Sequence, residues 1–173
     1  ATGILFGDGA GAGVLQPVRR GGILATDMGS DGRAADLLYM PGGGSKHPPS
    51  HQSVDQRLHF LRMNGTEIFK LAVRRMADSA KQVMRQGKVK PERVACFIPH
   101  QANVRIIEAV TKWADLPPEK VFMNLQRYGN TSAASNLIAL YEAVKTGRIK
   151  RGDHAVMVAF GAGLTWGSIL LQW

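Results

Sequence analysis

Strands and helices alternate along this sequence, which predicts an α/β fold with helices layered on a sheet. Three observations carry the reading. Residues 94–98 and 155–160 are continuous apolar runs of strand length, of the kind buried on both faces of a largely parallel sheet. Three longer stretches place apolar residues at helical spacing. The 173 residues suffice for one domain with a real core, domains of about 100–150 residues being the commonest. No repeat, low-complexity segment or dividing linker is evident, so 1–173 reads as a single unit.

Taken in order, residues 2–6 and 11–16 read as short strands around Gly7-Asp8-Gly9-Ala10, a hairpin by turn chemistry. The glycines superficially resemble a dinucleotide fingerprint, but that motif opens a helix, and Val14-Leu15-Gln16-Pro17 continues extended. Residues 23–28 form another strand, and 29–56, with Pro41-Gly42-Gly43-Gly44 and Pro48-Pro49, a long irregular excursion. The first helix starts near Asn64, which has capping-box spacing to Glu67. It runs to Gln86 and Gly87 with Ile68, Leu71, Ala72, Met76, Ala80 and Val83 as its apolar stripe. The strand at 94–98 ends at Pro99-His100. A second helix over 103–114 should bury Ile106, Ile107, Val110 and Trp113 before Pro117-Pro118 stops it, and 121–123 is a candidate short strand. A third helix, 132–146, carries Ala134, Leu137, Ile138, Tyr141 and Val144 on one face and stops at Gly147. Gly161-Ala162-Gly163 then turns the strand at 155–160 into a last strand, 164–171.

Composition removes several classes. At 45% hydrophobic and 20% charged the chain is neither disordered nor fibrous. No apolar run approaches the roughly 20 residues that cross a bilayer, and no basic-then-apolar leader opens the sequence, so membrane spanning and secretion are not expected. A lone cysteine, Cys96, cannot form an intrachain disulfide and fits a reducing, cytoplasmic compartment. The start at Ala1, already in apolar sequence, reads as a fragment or processed piece. The net charge is +9, and residues 57–93 hold ten Lys/Arg against three Asp/Glu. Lys70, Arg74, Lys81 and Arg85 fall on one side of a helix. A solvated face accounts for this stripe. Nucleic acid would too, but zinc-finger, RNP-type and helix-turn-helix signatures are missing. An acidic protein or a phosphate-bearing ligand is a third fit.

Among five histidines, His100 stands out, because ligand-binding groups of open α/β sheets collect at the carboxyl ends of strands. His47, His51 and His59 lack the spacing of a zinc cluster and read as surface groups, and His154 as structural or exposed. In Tyr128-Gly129-Asn130-Thr131-Ser132-Ala133-Ala134-Ser135, spacing alone favours an ordinary asparagine N-cap. The Gly161-Ala162-Gly163 turn could offer backbone N–H groups to a developing negative charge, and a glycine bulge would explain it equally well. Cys96 lies inside an apolar strand, where a thiolate is disfavoured, and reads as core. No other nucleophile, paired carboxylates or phosphate loop appears, so the chain has activating groups without a group to activate.

Taken together, Leu5-Phe6-Gly7-Asp8-Gly9-Ala10-Gly11-Ala12, Pro99-His100-Gln101-Ala102-Asn103-Val104-Arg105-Ile106, Tyr128 to Ser135, and Ala159-Phe160-Gly161-Ala162-Gly163-Leu164-Thr165-Trp166-Gly167-Ser168 closely resemble the carboxyl-terminal half of β-ketoacyl-acyl-carrier-protein synthase III. Order and separations match from one end of the chain to the other. The resemblance implies a thiolase-like fold, each half giving a five-stranded mixed sheet to a layered α-β-α-β-α body, and a homodimeric enzyme. It implies a transferase of lipid metabolism that condenses acyl-CoA with malonyl-acyl-carrier protein at the start of fatty acid biosynthesis.

In that family the nucleophilic cysteine lies in the amino-terminal half, which this sequence does not contain, and Cys96 does not match it. By resemblance His100 and Asn130 hydrogen-bond the malonyl thioester carbonyl during decarboxylation, and the backbone N–H of Ala162 matches an oxyanion-hole position. Gly65, Phe69 and Asn103 match positions lining the pantetheine channel, although Gly65 also suits a helix start and Phe69 packing. Gln101, Ala102, Asn103, Val104 and Arg105 match the segment that docks the carrier protein, with Arg105 meeting an acidic helix. The implied partners are acyl-carrier protein, acyl-CoA and the amino-terminal half, without nucleic acid or membrane. No metal or cofactor is implied, coenzyme A thioester serving as substrate. A polyketide starter or secondary-metabolite acyltransferase of the same fold, and a non-catalytic basic binding module, are the alternative readings.

Overall fold

A computed structural model describes residues 2–173, and Ala1 lies outside the described residues. The chain forms β1 (Gly22–Ser30), β2 (Leu38–Tyr39), α1 (His51–Asp55), β3 (Arg62–Met63), α2 (Gly65–Gln86), β4 (Val94–Pro99), α3 (Val104–Trp113), α4 (Leu125–Tyr128), α5 (Ala134–Lys145), β5 (His154–Gly161) and β6 (Thr165–Gln172). The main sheet has the order β1-β6-β5-β4. Only β4 and β5 run parallel, β6 being antiparallel to both its neighbours. β2 and β3 make a small separate ribbon.

Strand alternation divides the core in two. Val94, Phe97, Val156, Val158 and Leu170 face α2 and α3, meeting Val73, Met76, Ala80 and Val110. Cys96, Ile98, Ala155, Met157 and Leu171 face the opposite way, meeting Ala139 and Ala143 of α5. The result is helix, sheet, helix, with the two apolar runs of the sequence buried between the layers as expected.

Helix α2 forms where its amphipathic period predicts. The Asn64 side chain accepts from the Glu67 N–H at 3.3 Å, while the Glu67 carboxylate pairs with Lys70 at 2.8 Å instead of closing a capping box. Three members of the basic stripe on its outer face have acidic neighbours, Lys70 meeting Glu67, Arg74 lying 3.9 Å from Asp78 and Lys81 2.7 Å from Asp115, while Arg85 bonds the Gln82 amide oxygen at 2.6 Å. That is a solvated helix face.

Four expectations are corrected. No hairpin forms over 2–16. Thr2–Ile4 is a single 3-10 turn, and Phe6 makes an isolated parallel bridge to Asn130. The glycines serve close approach: a Cβ at Gly7 would run into the Tyr128 carbonyl oxygen, and one at Gly11 would press on Leu137. The fifth strand expected at 121–123 is reduced to one bridge between Phe97 and Val121. After Phe122 N–H donates to the Phe97 carbonyl at 2.8 Å, the chain leaves the ladder, because the Asn124 and Leu125 N–H groups turn onto the Gln101 side chain. Trp113 is 56% exposed, the buried line of α3 being Ile107, Val110, Thr111 and then Ala114. Finally, α5 turns Ser135, Ala139 and Ala143 to the sheet and leaves Tyr141 exposed, because the small side chains admit the sheet closely.

Candidate active site

Because β4 and β5 are parallel, their carboxyl ends reach the same sheet edge, with Pro99 opposite Val158. His100 follows β4 directly, and its N–H donates to the Val158 carbonyl at 2.8 Å. Its Nδ1 lies 2.6 Å from the Ser135 hydroxyl, in the first turn of α5. The neighbouring Asn136 amide donates to the Ile98 carbonyl at 2.9 Å and reaches the Val158 carbonyl at 3.4 Å. The amino end of α5 is thus stitched to the ends of both strands. Burial pushes the His100 imidazole down from 6.5 to about 4, so the ring is neutral at pH 7.

Asn130 enters the same region from the other side. Gly129 before it takes a φ of 67°, a conformation that favours glycine. The Asn130 backbone is clamped by Leu5 and Gly7, whose carbonyl and N–H it meets at 3.4 and 2.9 Å. Its side-chain oxygen accepts from the Ser132 N–H at 2.9 Å. The amide nitrogen makes no hydrogen bond among the described residues. The chain then turns through Thr131 and Ser132 into α5, Ser135 N–H donating to the Ser132 carbonyl at 3.2 Å. His100 and Asn130, far apart in sequence, are therefore both tied to residues 132–135. Ala162 is exposed in the turn after β5, at the same edge, and its carbonyl accepts from the Thr165 hydroxyl at 3.1 Å.

The other predicted residues divide. Phe69, half-buried on α2, lies under the Arg105 guanidinium at 5.8 Å, so the amino ends of α2 and α3 meet. Gly65 is exposed at the start of α2. Asn103 caps α3 by accepting from the Arg105 N–H at 2.9 Å, and Val104 and Arg105 are exposed beside it. Ala102 is half-buried. Gln101 is corrected: it is 1% exposed and presents nothing to a partner. Its amide donates to the Pro99 and Phe122 carbonyls at 2.7 and 3.3 Å, and its oxygen accepts from Asn124 and Leu125. All four hydrogen-bonding positions of that amide are satisfied internally.

Cys96 is fully buried, and desolvation pushes its thiol up to about 11, which removes it as a nucleophile. His47 and His51 are exposed, and His59 bonds the Ser53 hydroxyl at 2.8 Å. Among the described residues no group of His, Cys, Asp and Glu is placed to hold a metal, and no helix is long and apolar enough to cross a membrane.

Sequence reasoning missed Ser135, Asn136 and Glu142. Glu142 accepts from the Tyr128 hydroxyl, from Asn124 at 3.0 Å and from Arg127 at 3.1 Å, anchoring α4 just before Asn130. The bond from Tyr128, then that from Asn124, holds its carboxyl below the usual carboxylate range. One signal was available. Ser135, Ala139 and Ala143 recur at four-residue spacing, a small-residue line that lets a helix approach a sheet and obliges the serine to find a polar partner.

Residues 84–173 match the family described as "3-Oxoacyl-[acyl-carrier-protein (ACP)] synthase III C terminal". A beta-ketoacyl-[acyl-carrier-protein] synthase III of Desulfitobacterium hafniense is 51% identical over 173 residues, covering 99% of this chain and 52% of the relative. The chain spans about half the length of the curated relatives it matches. Among solved structures, the Thermus thermophilus beta-ketoacyl synthase III is 38% identical with a TM-score of 0.82, over 99% of this chain and 53% of that one. The Aquifex aeolicus 3-oxoacyl synthase III is 45% identical with a TM-score of 0.79, over 91% and 46%. The thiolase-like architecture expected of this half is borne out by these neighbours.

Proposed function

The chain belongs to the 3-oxoacyl-[acyl-carrier-protein] synthase III family, and on that premise we propose that it is the half of a condensing acyltransferase which activates the malonyl thioester. A cysteine-bearing amino-terminal half completes the enzyme, which works as a cytoplasmic homodimer on acyl-CoA and malonyl-acyl-carrier protein. The step assigned to this chain is decarboxylation. The bond between the malonyl α-carbon and its carboxylate breaks, carbon dioxide leaves, and the electron pair passes into an enolate whose charge sits on the thioester oxygen. The His100 and Asn130 side chains donate to that oxygen. The enolate carbon then attacks the acyl-cysteine carbonyl, the Ala162 N–H receives the new oxyanion, and the thiolate departs. Neutral donors in a water-poor site are the physical requirement for such charge, and they are effective because they are oriented before it forms.

A single observation carries the reading: a half-buried, neutral imidazole at the carboxyl end of β4 and a carboxamide with an unengaged N–H2 are both tied to the start of α5. Gly65, Phe69 and Asn103 lie where α2 and α3 begin, a course for the pantetheine arm, and Asn103, Val104 and above all the basic Arg105, with half-buried Ala102 beside them, offer the carrier protein an exposed edge. No cofactor takes part, the coenzyme A thioester being a substrate. The test is the half-reaction in the complete enzyme. His100→Ala and Asn130→Ala should each slow malonyl decarboxylation by about 10²–10³ while acyl transfer to the cysteine persists. Unchanged decarboxylation in both would refute the proposal. A polyketide starter synthase would use the same two residues, and acyl-donor preference separates it.

A further inference from the structure

We propose that Ser135 is a positioning residue for this reaction: by donating its hydroxyl hydrogen to Nδ1 it fixes His100 as the Nε2–H tautomer and turns that N–H toward the substrate oxygen. The inference rests on the reading of His100 given above and deepens it.

Hydrogen-bond accounting decides the direction. Ser135 is 2% exposed, and its hydroxyl oxygen meets two partners, His100 Nδ1 at 2.6 Å and the Gln101 N–H at 3.4 Å. A backbone N–H can only donate, so Gln101 takes a lone pair of the oxygen. If Nδ1 also carried a hydrogen and donated, the hydroxyl hydrogen would have no acceptor in a position closed to water, an arrangement buried polar groups avoid. With the hydroxyl donating to Nδ1, every group is satisfied and the ring proton resides on Nε2. The tautomer of a histidine is set in this way by what its other nitrogen meets.

The support behind the serine is rigid. Asn136, next in the chain, bonds the Ile98 carbonyl, and the His100 N–H bonds the Val158 carbonyl, so the helix turn and the strand end move as one. The ring is held at Nδ1 on one side and its outer nitrogen is left for a ligand. A thioester oxygen that becomes an enolate needs a donor there, and the other tautomer would present a lone pair to it.

The experiment uses the complete enzyme with 15N-labelled histidine. Long-range 15N–1H correlations should show His100 as the Nε2–H tautomer in the parent protein and a mixture in Ser135→Ala. Ser135→Ala should lower kcat for malonyl decarboxylation on the order of tenfold, with KM for the malonyl substrate and acyl transfer to the cysteine unchanged. Ser135→Thr, which restores a hydroxyl, should recover most of the rate. If the added methyl prevents folding, the Ser135→Ala tautomer spectrum decides alone. An unaltered tautomer with kcat within about twofold overturns the inference, as does an equal loss in both half-reactions. His100→Ala run beside it separates the two claims: if that variant decarboxylates normally the proposed function fails, and if it is inactive while Ser135→Ala is normal only the inference fails.

Discussion

The two ends of the parallel pair β4 and β5 treat their polar groups in opposite ways. At the carboxyl ends, His100, Gln101, Ser135 and Asn136 are bonded to one another or to strand carbonyls, and Gln101 and Ser135 are closed to water. At the amino ends lies an open depression of about 340 Å³ lined by Glu92, Arg93, Lys120, Asp153 and His154. There the polar groups are wet, and Lys120 spends its ammonium on the Pro91 and Glu92 carbonyls at 3.3 and 2.6 Å. The same two strands therefore carry one end whose polar groups are held by one another and by strand carbonyls and one that opens to solvent. Only the first can hold donors fixed while charge develops, which is why two histidines flanking one sheet have unequal prospects.

That contrast breaks most visibly in a rate. His154→Ala in the complete enzyme should leave malonyl decarboxylation within about twofold, against the loss of about 10²–10³ expected for His100→Ala. Comparable losses from the two would erase the distinction between the ends.

A smaller effect tests the packing behind the site. Gln101→Leu keeps the volume roughly constant but strands the Asn124 and Leu125 N–H groups and the Pro99 and Phe122 carbonyls. Urea denaturation should show a loss of about 3 kcal/mol, given about 1–3 for each buried group left unsatisfied and partial relaxation. Lys120→Ala at the wet end should cost less than about 1 kcal/mol, in line with exposed polar contacts.

A pH dependence follows from the same desolvated imidazole. His100 has its imidazole lowered to about 4 in the fold, against 6.5 for the free group. Between those values the unfolded state binds more protons, so stability rises with pH through that window and is lost as pH falls from 6.5 toward 4. Glu142, also lowered, adds its contribution below the ordinary carboxylate value of 4.5. His100→Gln should therefore flatten the unfolding free energy between pH 4.5 and 6.5, as followed by thermal melts. An unchanged slope would place the acid sensitivity elsewhere.

The same contrast explains what was legible in the sequence. Helix α2 was plain because 22 residues repeat an amphipathic period with large apolar side chains, and β4 and β5 because their runs are continuous. The site itself showed through His100 at a strand end and through motifs that resemble a known family. Helix α5 is turned away from its expected orientation, because small Ser135, Ala139 and Ala143, not the large Leu137, Ile138 and Tyr141, form the line that fits closely against the sheet. Gln101 falls in the segment that the family resemblance assigns to docking, and nothing local reveals that four backbone groups converge on its amide. Glycines 7, 9 and 11 suggest a turn, whereas they allow contact with residues 128–138, a partner more than a hundred positions away. Elements that depend on local period were readable, and groups whose partners are distant were not.

The central claim is that one imidazole and one carboxamide converge on a single oxygen. A crystal structure of the complete enzyme with a non-decarboxylating malonyl thioester analogue measures it directly. The thioester oxygen should lie within about 3 Å of both His100 Nε2 and Asn130 Nδ2. An analogue bound with that oxygen out of reach of either side chain would contradict it.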